Sequence, residues 1–397
     1  MNLIQDKNKC CGCGACENVC KRNAISMKPD KYGFLYPSID PSKCVNCGEC
    51  VRVCEFRKDD SHIEDIYEYY GVVNKNHETL FNSSSGGAFS ALAEWTLQQG
   101  GVVYGCALNN ELMPEIVCVD KKEDLSILHG SKYVQANVNY SYRNVLNKLK
   151  EGCLVLFSGT PCQCAALRSY LKTPYDNLFC VELLCHGVPN SIMYADFLRQ
   201  IEKRIHGKIE SINFRNKKLG WGALLKVAYK TKKGKIKEAY YKPEEFSYYY
   251  NFFYRSLFFR ESCYFCKYAN RNRQSDFTIG DFWGGQSYCP SYNATEGISV
   301  LIAKGDKAIS IVPLLNNYLN LKAVKLEDIA SQNKQVLLPS SKDPEYEKEI
   351  EQYLNLGPDK YEEFYNKLHR NLIIKGRVRR MMPLRLKKFI MRLISKS

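Results

Sequence analysis

The sequence predicts an α+β chain in three parts. These are a short cysteine-rich module over 1–60, a mixed α/β body over 66–325 and a helical extension over 340–397 that ends in a basic tail. Nine of the nineteen cysteines fall in the first 54 residues. Apolar strand-like runs then alternate with helically spaced ones through 67–205, the signature of a mixed α/β layer. Residues 367–397 carry eleven Lys or Arg and no Asp or Glu, which leaves only +4 of the formal net charge of +15 for the rest of the chain. At 397 residues and 45% hydrophobic, the chain has room for two or three domains with sizeable cores. No run approaches the ~18 apolar residues of a membrane span, and the start lacks the apolar core of a secretory signal. A cytoplasmic chain is expected. Its odd cysteine count excludes complete disulfide pairing and points to metal.

The module contains an internal duplication. Cys10, Cys13, Cys16 and Cys20 form C-x2-C-x2-C-x3-C, and Cys44, Cys47, Cys50 and Cys54 repeat it 34 residues later. Three cysteines on a tight loop reach three corners of one iron–sulfur cubane, while the fourth points away toward the other cluster. The expected ligand sets are therefore Cys10, Cys13, Cys16 and Cys54 for one 4Fe–4S cluster, and Cys44, Cys47, Cys50 and Cys20 for the other. Gly12, Gly14 and Gly48 let the backbone fold closely around the clusters. Zinc is the alternative, but it favours two C-x2-C pairs separated by a longer insert. The segment resembles a bacterial two-cluster ferredoxin domain. It departs from that pattern in having Lys21 and Glu55 where a Pro usually follows the fourth Cys. Cys11 lies outside the pattern and reads as a spectator.

A polar linker at 57–65 precedes the body, which divides into an N-terminal part over about 66–150 and a C-terminal part over about 151–325. Strands are expected at 67–74, 101–108, 153–157 and 178–184. The run Ser83-Ser84-Ser85-Gly86-Gly87 opens a helix with Phe89, Leu92 and Trp95 on one face. Unpaired N–H groups and hydroxyls there suit a phosphate or a flavin's polar edge, although Ser at a helix start is commonly just a cap. A turn at Ser158–Pro161 leads into a helix at Cys162, and a later strand ends in Cys185-His186-Gly187. A C-x2-C pair follows at Cys263 and Cys266.

The ordered segments SSSGGAFSALAEWTLQQGGVVYG, GSKYVQ, SGTPCQCAALR, CHGVPN, the C-x2-C pair and IGDFWG resemble the coenzyme F420 hydrogenase/dehydrogenase beta-subunit family over about 66–325. Some of its members carry a fused ferredoxin domain, and many sit in polysaccharide gene clusters. The resemblance implies an iron–sulfur flavoprotein oxidoreductase that moves electrons between 4Fe–4S clusters and a hydride-type small-molecule substrate, with service in polysaccharide biosynthesis as one setting. The alternative is a non-catalytic electron-transfer subunit docking on a larger complex. FAD is the implied cofactor, with Ser84, Ser85, Gly86, Gly87, Lys132, Gln135 and Thr160 as its contacts. Lys132 would stabilise the anionic reduced flavin, or else be a solvated surface lysine. A third cluster is expected on Cys162, Cys185, Cys263 and Cys266. The C-x2-C pair needs two partners, and Cys106, Cys118, Cys153 and Cys180 read as small core residues. Zinc on the same four thiols stays open.

Two weak catalytic candidates are His186 and Lys132. His186 titrates near neutrality, yet it neighbours a proposed ligand and reads equally as its hydrogen-bond partner. Between Tyr240 and Phe259, eleven of twenty residues are Tyr or Phe, read as a wall that keeps water from a buried cofactor. No nucleic-acid partner is expected, because the basic charge belongs to the tail. A ferredoxin or other redox partner protein is. From Pro383 onward, Leu386, Phe389, Ile390, Leu393 and Ile394 share one helical face among basic residues. Such a helix suits peripheral contact with the inner membrane surface or packing on protein.

Overall fold

The computed structural model describes residues 3–4, 6–58, 65–246, 248–249, 253 and 255–382. The expected tail helix at 383–397 lies outside them, as does most of the linker at 57–65. Among the described residues no helix is long and apolar enough to cross a membrane. The chain divides into two compact units, Met1–Ser191 with Phe259–Ser341, and Ile192–Phe258 with Lys342–Ser397 as far as these are described.

In the first unit, the cysteine-rich module holds one hairpin, β1 (Ile25–Pro29) and β2 (Leu35–Ile39), paired antiparallel. The body is built on eight strands: β3 (Tyr67–Asn74), β4 (Val102–Leu108), β5 (Pro114–Val119), β6 (Val155–Gly159), β7 (Leu178–Leu183), β11 (Phe277–Asp281), β12 (Ser299–Lys304) and β13 (Leu319–Ala323). Their order across the sheet is β13-β3-β12-β11-β7-β6-β4-β5. The inner strands β4, β6, β7 and β11 run parallel, and the flanking pairs are antiparallel.

The parallel strands are covered on both faces, so they read as continuous apolar runs rather than alternating ones. Alternate residues feed two cores. Leu156, Phe179 and Val181 join Leu92 and Trp95 on one face. Val155, Phe157 and Leu178 join Tyr142 and Leu167 on the other, where Ala15 and Val53 of the module are buried too. The module is therefore packed into the body rather than tethered beside it. Arg143, on the helix Ser141–Lys150, donates to the carbonyls of Asn18 and Cys20 at 2.7 and 3.0 Å. Tyr142 Oη donates to the carbonyl of Cys13 at 2.9 Å.

The second unit has its own antiparallel sheet, β8 (Gly207–Asn213), β9 (Leu225–Thr231) and β10 (Ile236–Tyr241). Among its helices are Ser191–Ile205, Tyr346–Leu368 and Arg370–Met381, the second broken at Gly357 (φ 71°) just before Pro358. Most of the expected aromatic wall falls in this unit. Tyr249 stacks on Phe197 at 4.9 Å, and Tyr248 packs against Tyr353 and Tyr361 at 5.6 and 5.3 Å. These rings form the core of a self-contained unit, because a small sheet of this size needs aromatic area to bury. Phe259 alone among the named aromatics belongs to the first unit.

Candidate functional site

Two short helices set the geometry of the module. Gly14 and Gly48 are their N-caps in left-handed backbone (φ 74° and 77°), ahead of Ala15–Val19 and Glu49–Arg52. Each cysteine loop thus turns tightly before its helix begins. Burial first, and then the thiols of Cys13, Cys10 and Cys54, hold the Cys16 thiol well above its ordinary range. Cys54, also raised mainly by burial, feels Cys13. Cys54 thus acts on, and feels, thiols of the first loop. Cys50 is raised by burial and by Cys47 and Cys44. Cys20 accepts from the N–H of Ala24 at 3.3 Å. Cys47 is exposed, so the second group meets solvent.

A third group of thiols lies in the body. Cys162, Cys185, Cys263 and Cys266 line one cavity together with Cys11, Thr160, His186, Tyr268 and Arg273. Thr160 caps the helix Pro161–Leu171 in a reciprocal box with Gln163, which fixes Cys162 in the first turn. Thr160 Oγ1 lies 3.1 Å from Cys162 Sγ. The parallel neighbour β7 delivers Cys185, and the short helix Glu261–Tyr264 carries Cys263. Burial pushes Cys263 up to about 12 and Cys266 to about 11, with neighbouring thiols adding to both. Cys185 is raised well above its ordinary range by burial and by the other three. Cys162 goes the other way, to about 7, chiefly through a hydrogen bond from Cys11.

The donor set fits a cubane. Four thiols from three separate segments face one apolar cavity, and binding metal would drive their deprotonation against desolvation. A single zinc ion would draw the same four thiols in to about 2.3 Å, and metal and sulfide analysis separates the two.

The residues expected around a flavin fall into separate groups, with the Ser84 turn set against Ser131, next to Lys132. Of the seven, only Thr160 lines this cavity. Ser85 Oγ donates to the carbonyl of Ile298 at 2.8 Å, and Gly86 N–H donates to Ser299 Oγ at 2.8 Å. A Cβ on Gly86 would stand 2.2 Å from the Val72 carbonyl oxygen, so this turn needs glycine for close backbone approach. Ser84 Oγ accepts from the N–H of Ser131 at 2.7 Å. Gly87 is the left-handed N-cap of the helix Ala88–Gln98. Lys132 is not a solvated lysine: its Nζ donates to the carbonyls of Ile127, Leu128 and His129 at 3.3, 3.1 and 2.9 Å. Burial lowers it to about 8. Gln135 donates to the Cys11 carbonyl at 2.8 Å and accepts from Arg260 Nη2 at 2.9 Å.

Ser340 Oγ donates to the backbone carbonyl of His186 at 2.6 Å. Of the cysteines expected in the core, Cys180 is buried, Cys106 and Cys153 are half-buried and Cys118 is exposed. Cys118 emerges because β5 is the edge strand. Arg260 escapes the sequence reading, and Cys11, read there as a spectator, lines the cavity. Cys11 had only its adjacency to Cys10 as a signal, and Arg260 had none.

Residues 153–329 match the family model for the C-terminal part of the beta subunit of coenzyme F420 hydrogenase/dehydrogenase. Residues 9–57 match the 4Fe-4S dicluster domain. No curated protein matches the chain. Among solved structures, one from the F420-reducing NiFe hydrogenase complex of Methanosarcina barkeri is similar at 13% identity and a TM-score of 0.46, over 76% of this chain and 96% of that one.

Proposed function

From a chain whose residues 153–329 belong to the coenzyme F420 hydrogenase/dehydrogenase beta-subunit family, behind a 4Fe-4S dicluster domain, we infer an iron–sulfur oxidoreductase with three clusters. Cys20, Cys44, Cys47 and Cys50 hold the one nearest solvent, Cys10, Cys13, Cys16 and Cys54 the second, and Cys162, Cys185, Cys263 and Cys266 the third. When bound, such groups supply one-electron relay. The observation that carries this reading is the convergence of four thiols from three segments on one cavity.

The protein's own part is to position and to insulate. The Thr160 cap fixes Cys162, and Phe56 and Tyr268, edge to face at 5.9 Å, add apolar wall to the same cavity. Exposure of Cys47 supports electron exchange with an external redox partner. FAD as the next carrier, a small-molecule substrate and service in polysaccharide assembly are finer parts of the proposal. They are supported by the sequence resemblance alone.

Iron, zinc and sulfide analysis of the anaerobically reconstituted full chain tests the cluster reading. About twelve irons are expected, four per cubane, falling to about eight in Cys263→Ser. Zinc without acid-labile sulfide at the third site would overturn it. Acid release of about one flavin per chain tests the FAD part.

A further inference from the structure

Two arginines in the first unit are almost wholly buried, and their partners differ. Arg273, 2% exposed, meets Glu182 at 2.5 Å. Arg260 is 0% exposed, and among the described residues no carboxylate pairs with it. Its guanidinium donates to the carbonyls of Leu35 and Cys10 at 2.9 and 3.4 Å and to Gln135 Oε1 at 2.9 Å. It also lies over the rings of Tyr36 and Phe34, at 4.7 and 5.2 Å. These are neutral partners. A buried cation without an opposite charge is strongly destabilising, so its counter-charge must come from elsewhere.

Thiol groups on both sides are placed to supply it. Arg260 acts electrostatically on Cys10 of the module and on Cys162 and Cys263 of the body. Its carbonyl accepts from the N–H of Cys263 at 2.8 Å. The two thiol groups also abut through Cys11, which lies within hydrogen-bonding reach of Cys13 on one side and Cys162 on the other.

We propose that Arg260 is a counter-charge shared by the Cys10/Cys13/Cys16/Cys54 cluster and the Cys162/Cys185/Cys263/Cys266 cluster, raising the reduction potential of both. This rests on the cluster reading above. Each cubane becomes one unit more negative on taking up one electron. A fixed cation beside it favours the reduced form, more so in a low-dielectric interior.

The test is a redox titration with dithionite as electron donor, followed by electron paramagnetic resonance on the reconstituted full chain. In Arg260→Gln the reduced-to-oxidised ratio of both clusters at a fixed poise should fall about tenfold, which is 59 mV for a one-electron couple. The cluster on Cys20, Cys44, Cys47 and Cys50 should keep its potential, and Arg260→Lys should restore most of the loss. Gln135→Glu gives the guanidinium the carboxylate it lacks with little change of shape, so it should lower both potentials with Arg260 intact. If Arg260→Gln does not fold, this second variant decides. Unchanged potentials in either folded, iron-loaded variant overturn the proposal. If only about eight irons are found in the wild type, the third-cluster reading fails, and the shift of the Cys10-group cluster alone still decides the role of Arg260.

Discussion

The thiol of Cys11 lies within hydrogen-bonding reach of the thiol of Cys162, so the first loop of the module meets the first turn of the helix Pro161–Leu171. Cys11 also reaches Cys13. It is buried between two proposed cluster sites and belongs to the ligand set of neither.

Cys11→Ala should therefore leave the iron content at the wild-type value. Its effect should fall on the potentials of the two adjoining clusters, because hydrogen bonds to ligand sulfur stabilise the added electron. Both midpoints are expected to drop. Loss of about four irons per chain would make Cys11 a ligand and reassign the third site.

Gly12 tests a neighbouring contact, that of the same loop with Arg260. Its φ is +65°, and a Cβ there would stand 2.6 Å from Arg260 Nη2. Gly12→Ala combines left-handed strain with overpacking against a buried guanidinium, at a cost of about 1–3 kcal/mol. Gly100, at φ +74° with nothing within 4 Å of its Cβ position, carries the strain without the clash. Thermal melts should place Gly12→Ala clearly below Gly100→Ala, and iron loss should accompany only the former. Equal melts would rule out the close contact.

Tyr249 distinguishes a core from a wall. Its ring is 2% exposed and stacks on Phe197. Tyr249→Ala should destabilise the second unit by about 3–5 kcal/mol, as large aromatic truncations do. Iron per folded chain and the visible absorption of the clusters should not change. A cluster that bleaches faster in air, with the fold intact, would return this ring to the cofactor.

The body's strands were legible because burial on both faces leaves uninterrupted apolar runs. The expected 67–74 coincides with β3, and 101–108 differs from β4 only at Gly101. The cysteine repeat was legible because a cubane constrains ligand spacing tightly. Departure of 192–258 from the body was not, since its strands and aromatics look locally like any other core and its partner residues begin only at Lys342. The buried settings of Arg260 and Lys132 were illegible for a common reason. Each is a cation whose partners are backbone carbonyls and an amide or thiol groups, so no complementary carboxylate marks them in the chain. The Ser84–Gly87 turn, read as a ligand site, also caps a helix and admits β3 and β12 at close range.

Lys132 gives a pH dependence whose sign can be worked out. Its ammonium group satisfies carbonyls at the end of the 3-10 helix Lys122–Leu128, groups that would otherwise lack donors. Burial lowers its pKa from 10.5 to about 8, against a smaller opposing effect of Cys106. His129, itself lowered by burial and by Lys132, lies beside it with Glu94 acting on it. Below about pH 8 both folded and unfolded chains carry the Lys132 proton, and the folded state bears the full desolvation of the charge. Between about 8 and 10.5 the unfolded chain holds more protons at this site, so stability rises with pH across that window. In Lys132→Met the contribution is absent. The wild-type Tm should therefore gain on that of the variant as pH is raised from about 7.5 to about 10, with the Cys106 thiol blocked in neither. Parallel Tm curves over the whole range would mean that Lys132 keeps an ordinary pKa in the folded protein.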